Sequence, residues 1–113
     1  QVVCGCANNV LAMPEAGDEL ARRGILYAPD YLVNAGGLIR GAEFFLLERA
    51  DSLPSLARIY DRMLGVARLA KERGASTARI ADELAEARLK KAKTSRDMHW
   101  GWSAGTAGGL GAQ

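Results

Sequence analysis

Apolar and polar positions follow two different periods along this chain. Val2 to Ala7 is a short apolar run ending in polar Asn8-Asn9, the pattern of a buried parallel strand. Residues from Pro14 to Arg23 carry helix signals instead. Pro14 suits a first helical turn, Glu15, Asp18 and Glu19 suit the positive end, and Arg22-Arg23-Gly24 suits the negative end. Ile25-Leu26-Tyr27-Ala28 predicts a second strand, stopped by Pro29. Strand, helix and strand in close succession predict a right-handed βαβ unit of a parallel sheet. Two strands alone do not make a stable sheet, so the pattern calls for neighbouring strands that this sequence does not supply. A strand already under way at Val2-Val3-Cys4, with Gln1 rather than methionine before it, predicts a truncated chain.

From Val33 onward the pattern is helical. Leu38, Ile39, Ala42, Phe45 and Leu46 fall at helical spacing until Ser52-Leu53-Pro54-Ser55 interrupts them. A second helix carries Leu56, Ile59, Tyr60, Met63, Val66, Ala67 and Ala70 as an amphipathic stripe, with Gly74 as its C-terminal stop. Ser76 or Thr77 is placed to cap a third helix with Ile80, Leu84 and Ala87 on one face, and Glu86 and Lys90 form a favourably oriented pair on its surface. From Thr94 to Gln113 the pattern dissolves into Gly, Ala, Ser and Thr, which predicts a flexible tail.

Length and composition narrow the picture. The 113 residues suffice for one modest domain or a piece of a larger one, and 49% apolar content argues against disorder of the whole. A net charge of +2 is too small to argue for a nucleic-acid or membrane-surface partner. The cluster Lys90, Lys91, Lys93 and Arg96 is short, has acids nearby, and reads as a solvated helix end. No apolar run is long enough to span a bilayer and no signal-peptide pattern opens the chain, so a cytoplasmic location is expected.

The residues with chemical potential cluster after the two strands. Cys4 and Cys6 form a C-x-C whose side chains share one face of a strand. As metal ligands they would need partners, of which only His99 is of the usual kind. Two buried thiols acting as small hydrophobes is therefore the favoured reading, and no metal site is expected. Asn8-Asn9 sit where parallel α/β sheets bind ligands, and an amide can hold a carboxamide or a ribose hydroxyl, although a turn or helix cap explains them equally well. Asn34-Ala35-Gly36-Gly37 also lies just beyond a strand. Asn34 could cap the following helix, and the two glycines admit close approach of a ligand or of another backbone. Met63 and Val66 lie on an apolar stripe, for which core packing is the default.

Two segments together resemble one enzyme family. Val3-Cys4-Gly5-Cys6-Ala7-Asn8-Asn9-Val10 and Arg23-Gly24-Ile25-Leu26-Tyr27-Ala28-Pro29-Asp30-Tyr31-Leu32-Val33-Asn34-Ala35-Gly36-Gly37 are similar to the C-terminal part of the Glu/Leu/Phe/Val dehydrogenases, above all to the leucine, valine and phenylalanine branch. Ile59-Tyr60-Asp61 and Ala81-Asp82-Glu83-Leu84-Ala85-Glu86 extend the likeness, in order, to about residue 90. The resemblance implies reversible NAD-dependent oxidative deamination of an apolar L-amino acid to its 2-oxo acid and ammonia. It implies that Cys6, Ala7, Asn8 and Asn9 lie beside the nicotinamide half of NAD, that Asn34 touches the substrate's amino-acid head group, and that Met63 and Val66 line its side-chain pocket. Two apolar residues there favour an aliphatic or aromatic substrate over glutamate.

This sequence departs from the family at Cys6, where Ala or Ser is usual, and at Arg40, where a neutral polar residue is usual. Phe44-Phe45-Leu46-Leu47 is also more apolar than expected. The family's catalytic lysines and aspartate belong to an N-terminal domain and its glycine-rich fingerprint to an earlier strand. Neither is in this sequence, so no catalytic residue is assigned and the chain alone is expected to be inactive.

The expected fold class is α/β: a C-terminal fragment of a Rossmann-like NAD-binding domain, with one βαβ unit, followed by three mainly amphipathic helices. Residues 1–40 would end the dinucleotide-binding domain, 41–93 would be helices packing toward the missing catalytic domain, and 94–113 would be the tail. A homo-oligomer is implied for the full-length enzyme. The competing reading is a non-catalytic helical module for protein interaction or oligomerisation, motivated by the amphipathic helices.

Overall fold

A computed structural model describes residues 1–99, with side-chain surroundings given through residue 93. The elements run β1 (Val2–Val3), α1 (Pro14–Arg22), β2 (Leu26–Tyr27), α2 (Asp30–Val33), α3 (Gly36–Leu47), α4 (Leu53–Arg73) and α5 (Thr77–His99). The class is mixed α/β. β1 and β2 pair in parallel, Val2 opposite Leu26 and Val3 opposite Tyr27, with α1 between them in sequence.

Both strands are shorter than their apolar runs predict. The last ladder bond runs from the Ala28 N–H to the Val3 carbonyl at 2.9 Å. The next donor in that alternation would be Asp30, but α2 begins there and its N–H points to the Tyr27 hydroxyl at 3.4 Å, so pairing stops and β1 ends with it. Val2 is 63% exposed rather than buried, because its side of the two-stranded sheet has no cover among the described residues.

α1 begins at Pro14 and carries Glu15 in its first turn and Arg22 in its last, as its charge pattern predicts. It lies against β2 and α5. Gly17 makes this packing possible in a way the sequence pattern does not reveal: a Cβ there would sit 2.8 Å from the Ala78 Cβ and 3.3 Å from Leu11 Cδ1.

The helix expected from Val33 starts at Gly36 as α3, and a short helix that the pattern did not announce, α2, precedes it. Asn34 (φ −98°, ψ 12°) and Ala35 (φ −73°, ψ −4°) separate them with near-helical angles, so the break is a local tightening of the backbone. Four helices therefore follow β2, not three. Arg40 ties α3 to the loop before α4 through a 2.8 Å bond from its guanidinium to the Ala50 carbonyl. α4 starts at Leu53, so Leu53 and Pro54 belong to its first turn rather than to a loop, and it ends on Gly74 at φ 62°.

Ser76 caps α5. Its hydroxyl accepts from the Arg79 N–H at 3.3 Å and donates to Asp18 Oδ1 at 2.6 Å. Helix α5 continues to His99, past Thr94 where a tail was expected; the remainder of that expected tail lies outside the described residues.

Small aliphatic residues form the core. Val66 and Ala70 of α4 meet Ile80 and Ala81 of α5, with Leu32, Met63, Leu69 and Ala75 packed around them. Small side chains here let α4 and α5 approach closely. On α5 the buried face ends early: Ile80 is buried as expected, whereas Leu84 and Ala87 are exposed. Helix α3 has the opposite character to its composition. Leu38, Phe45 and Leu46 are 78%, 79% and 77% exposed, although the helix is apolar nearly throughout.

The α1–α5 contact sets the first expectation. Gly17→Ala should destabilise the fold by about 1–2 kcal/mol, because crowding against Ala78 outweighs the gain in helix propensity. Thermal melts followed by circular dichroism measure this, and adding Ala78→Gly should recover part of the loss. An unchanged or higher melting temperature for Gly17→Ala would refute the close contact.

Candidate functional site

The turn after β1 is held by one carboxylate. Asn9 adopts φ 55°, a left-handed conformation that asparagine tolerates better than most residues. Its N–H donates to Asp30 Oδ2 at 2.7 Å, and the Tyr27 hydroxyl donates to Asp30 Oδ1 at 2.8 Å. Asp30 opens α2, where the helix N-terminus favours negative charge. The carboxylate is 9% exposed. The hydrogen bond from Tyr27 keeps the Asp30 carboxyl below its ordinary value against the opposing effect of burial, and the Asn9 N–H adds to it. Burial, and then the bond to Asp30, push the Tyr27 phenol up.

One turn of α2 further on, Asn34 reaches back to the same segment. Its Nδ2 donates to the Cys6 carbonyl at 2.6 Å and to Asn8 Oδ1 at 3.2 Å. Both amide hydrogens face the turn, so the carbonyl oxygen Oδ1 is the end that a ligand's donor would meet. Asn34 therefore does not cap α3; the residue at that cap is Ala35. Gly36 and Gly37 do not serve a close approach within the fold: a Cβ at Gly36 would meet Leu56 Cδ2 at an ordinary 3.5 Å, and one at Gly37 would meet nothing.

Cys6, Asn8 and Asn34 thus form one hydrogen-bonded, exposed patch, with Ala7 and Asn9 in the same exposed turn and Asn9 tied to Asp30. Met63 and Val66 lie elsewhere, in the helical core. Val66 is 4% exposed and Met63 is half-buried beside it. Val66 also lines a cavity of ≈ 390 Å³ with Leu32, Leu84 and Ala35, the neighbour of Asn34; Met63 does not line it. The cysteines overturn an expectation: Cys4 and Cys6 are both exposed, because the strand that would bury them ends at Val3. Among the described residues no group of three or more His, Cys, Asp or Glu side chains is arranged to hold a metal ion, and no helix is long and apolar enough to cross a membrane.

Asp30 was the site residue that sequence reasoning left without a role. The available signal was an acid at the first position of a helix directly after a proline. Two other polar groupings brace the surroundings. The Tyr31 hydroxyl donates to Asp82 Oδ1 at 2.7 Å, and burial first, then that carboxylate, drives the Tyr31 phenol far up. Asp18 accepts from Ser76 and, at 2.6 Å, from Arg79, and these partners hold its carboxyl low. Between these groups lies a cavity of ≈ 510 Å³ lined by Asn9, Asp30, Tyr31, Arg79 and Asp82; of the residues expected in the site, only Asn9 borders it. Glu43 on α3 is 8% exposed and accepts from the Ser55 hydroxyl at 2.5 Å, while its Oε2 and the buried Ser52 hydroxyl find no partner.

Two parallel strands with a helix between them in sequence, and a polar turn beyond the first strand meeting the residues beyond the second, make up a mixed α/β arrangement. Comparison with known proteins identifies relatives. No family model matches the chain. It is 48% identical over 99 residues to a valine dehydrogenase of Streptomyces albus, covering 85% of this chain and 27% of that protein. It is 40% identical over 100 residues to a leucine dehydrogenase of Bacillus cereus, covering 88% and 27%. The crystal structure of L-tryptophan dehydrogenase from Nostoc punctiforme superimposes with a TM-score of 0.70 at 38% identity, covering 82% of this chain and 28% of that one. By sequence and by fold, this chain is thus a relative of the amino-acid dehydrogenases. It spans about a quarter of the length of the relatives it matches.

The Asp30 bonds give a stability expectation. Asp30→Ala should cost about 2 kcal/mol, since it strands the Asn9 N–H and the Tyr27 hydroxyl. The wild-type carboxyl titrates lower folded than unfolded. Its contribution is therefore complete above the ordinary aspartate range and is lost as pH falls through the lowered value. Denaturant melts at several pH values check this: the gap between wild type and Asp30→Ala should narrow below about pH 4. A gap that is constant down to strong acid would contradict it.

Proposed function

We propose that this chain is the C-terminal part of an oxidoreductase carrying out NAD-dependent oxidative deamination of an apolar L-amino acid to its 2-oxo acid and ammonia. The observation that carries the reading is the bonding of Asn34 to Cys6 and Asn8, 28 and 26 residues away. Those are the two motifs that the resemblance assigns to substrate and to cofactor. The names of the relatives, which are valine, leucine, phenylalanine and tryptophan dehydrogenases, support an apolar substrate.

In this reading β1, α1 and β2 close a Rossmann-like domain, and Cys6, Ala7, Asn8 and Asn9 border the nicotinamide half of NAD. The residues fit that half: the turn is exposed, and its asparagine side chains can pair with a carboxamide. Held by these residues, NAD would supply the hydride acceptor for the substrate's α-carbon. Asn34 turns its Oδ1 toward the substrate and accepts a hydrogen bond from its ammonium group. The amide stays in place because both its hydrogens are spent on the Cys6–Asn8 turn. Asp30 fixes that turn from beneath and keeps its charge by its own hydrogen bonds rather than by contact with substrate. Val66 supplies apolar surface for the substrate's side chain through the cavity it shares with Ala35, and Met63 packs beside it in the core. The general base belongs to the portion of the enzyme beyond this chain.

The exposed apolar face of α3 supports packing of the 41–93 helices toward that portion, since Leu38, Phe45 and Leu46 would otherwise stand in water. The same face favours one alternative, a non-catalytic interaction module, in which NAD would leave the melting temperature unchanged.

Kinetics of the full-length enzyme test the proposal. Asn34→Ala should lower kcat/KM for the amino acid by about 10–100-fold. Val66→Ala should shift preference toward larger side chains by about tenfold. The isolated 113 residues should show no turnover. A full-length enzyme that reduces no NAD with valine, leucine, phenylalanine or tryptophan, or an Asn34→Ala variant with full activity, would overturn the reading.

A further inference from the structure

Neither cysteine thiol is used in the chemistry above, yet both cysteines are exposed and only Gly5 separates them. We propose that Cys4 and Cys6 are a redox pair that closes to an intramolecular disulfide when a hydroperoxide oxidises it. Even fully extended, residues two apart span about 6.6 Å, and a disulfide accepts Cα separations up to about 6.8 Å. Side chains two apart on extended backbone also share a face.

Closure meets little resistance. Neither cysteine belongs to the β1 ladder, which ends at Val3, so the segment can bend without losing a strand bond. Gly5 has nothing within 4 Å of the position a Cβ would take, and without a Cβ it accepts the dihedrals that a small ring demands.

The chemistry balances with the hydroperoxide as oxidant. One thiolate attacks the peroxide oxygen, the O–O bond breaks, and the sulfur becomes a sulfenic acid as the departing alkoxide or hydroxide takes up a proton. The second thiol attacks that sulfur. The S–S bond forms, the S–O bond breaks, and the hydroxyl leaves as water with the second thiol's proton. Two thiols are oxidised by two electrons and one hydroperoxide is reduced; a dithiol reverses the change.

One bond connects this pair to the site. The Cys6 carbonyl is the acceptor for Asn34 Nδ2 at 2.6 Å. Ring closure re-orients the Cys6 Cα, which carries that carbonyl, and weakens the bond, so oxidation disturbs Asn34. The effect on catalysis rests on the dehydrogenase reading; formation of the disulfide does not.

The test uses the purified chain at low concentration with one equivalent of hydrogen peroxide, read by intact mass and thiol titration. Both thiols should disappear with the loss of two hydrogens, and dithiothreitol should restore them. Cys4→Ser should instead stop at a sulfenic acid that dimedone traps. In a dithiothreitol redox buffer, Asn34→Ala should raise the equilibrium constant for the disulfide about fivefold, the worth of one hydrogen bond. Surviving thiols, oxygen added as sulfinic or sulfonic acid, or dimers between chains would overturn the pair. An unchanged constant in Asn34→Ala would overturn its link to the site.

Discussion

The carboxylate of Asp30 holds three segments in one place. It accepts from the Asn9 N–H beyond β1 and from the Tyr27 hydroxyl at the end of β2, and it opens α2. A buried charge is stable only when such donors replace its water. The left-handed backbone at Asn9 depends on the same bond, because that conformation presents its N–H to the carboxylate. Asn34 sits one helical turn along α2, so the position of its amide against Cys6 and Asn8 follows from the anchoring of Asp30. The candidate site is held by hydrogen bonds rather than by burial.

Around this anchor the fold is stitched by side chains at element ends. Thr77, at the start of α5, donates to the Tyr27 carbonyl at 2.5 Å, joining α5 to β2. Ser76 and Arg79 bind Asp18 of α1, and Tyr31 of α2 binds Asp82 of α5. The apolar core of Val66, Ala70, Ile80 and Ala81 is small, and the hydrophobic term scales with the area it removes from water. Polar bonds at the junctions therefore carry an unusual share of the tertiary specification. They surround the candidate site, whereas α3 leaves its large apolar side chains exposed.

Much of this was legible in the residue pattern. Pro14 and the charges of the following turns mark α1, Gly74 marks the end of α4, and Ser76 caps α5 as its position suggests. The strand–helix–strand order and the meeting of the Cys6–Asn9 and Asn34 motifs also follow from placing each motif beyond a strand. What could not be read depends on distant partners. Strand length was set by the turn into α2 at Asp30, whose N–H leaves the ladder, and exposure of both cysteines followed from it. The break at Asn34-Ala35 has no proline or left-handed glycine to announce it. Gly17 looks like a weak helix residue until Ala78, sixty-one positions later, is seen against it. Asp30 reads as an ordinary first-turn acid until both of its donors are in view.

The most direct test of the Asp30 anchor is the Asn9 amide proton, followed by NMR through an acid titration. If Asp30 holds the turn, this proton is protected from exchange near neutral pH. Its shift then moves with a midpoint below that of an ordinary aspartate, and the Asn34 side-chain amide signals move with it. An Asn9 amide that exchanges at an unprotected rate, or that titrates at the ordinary midpoint, would contradict the account.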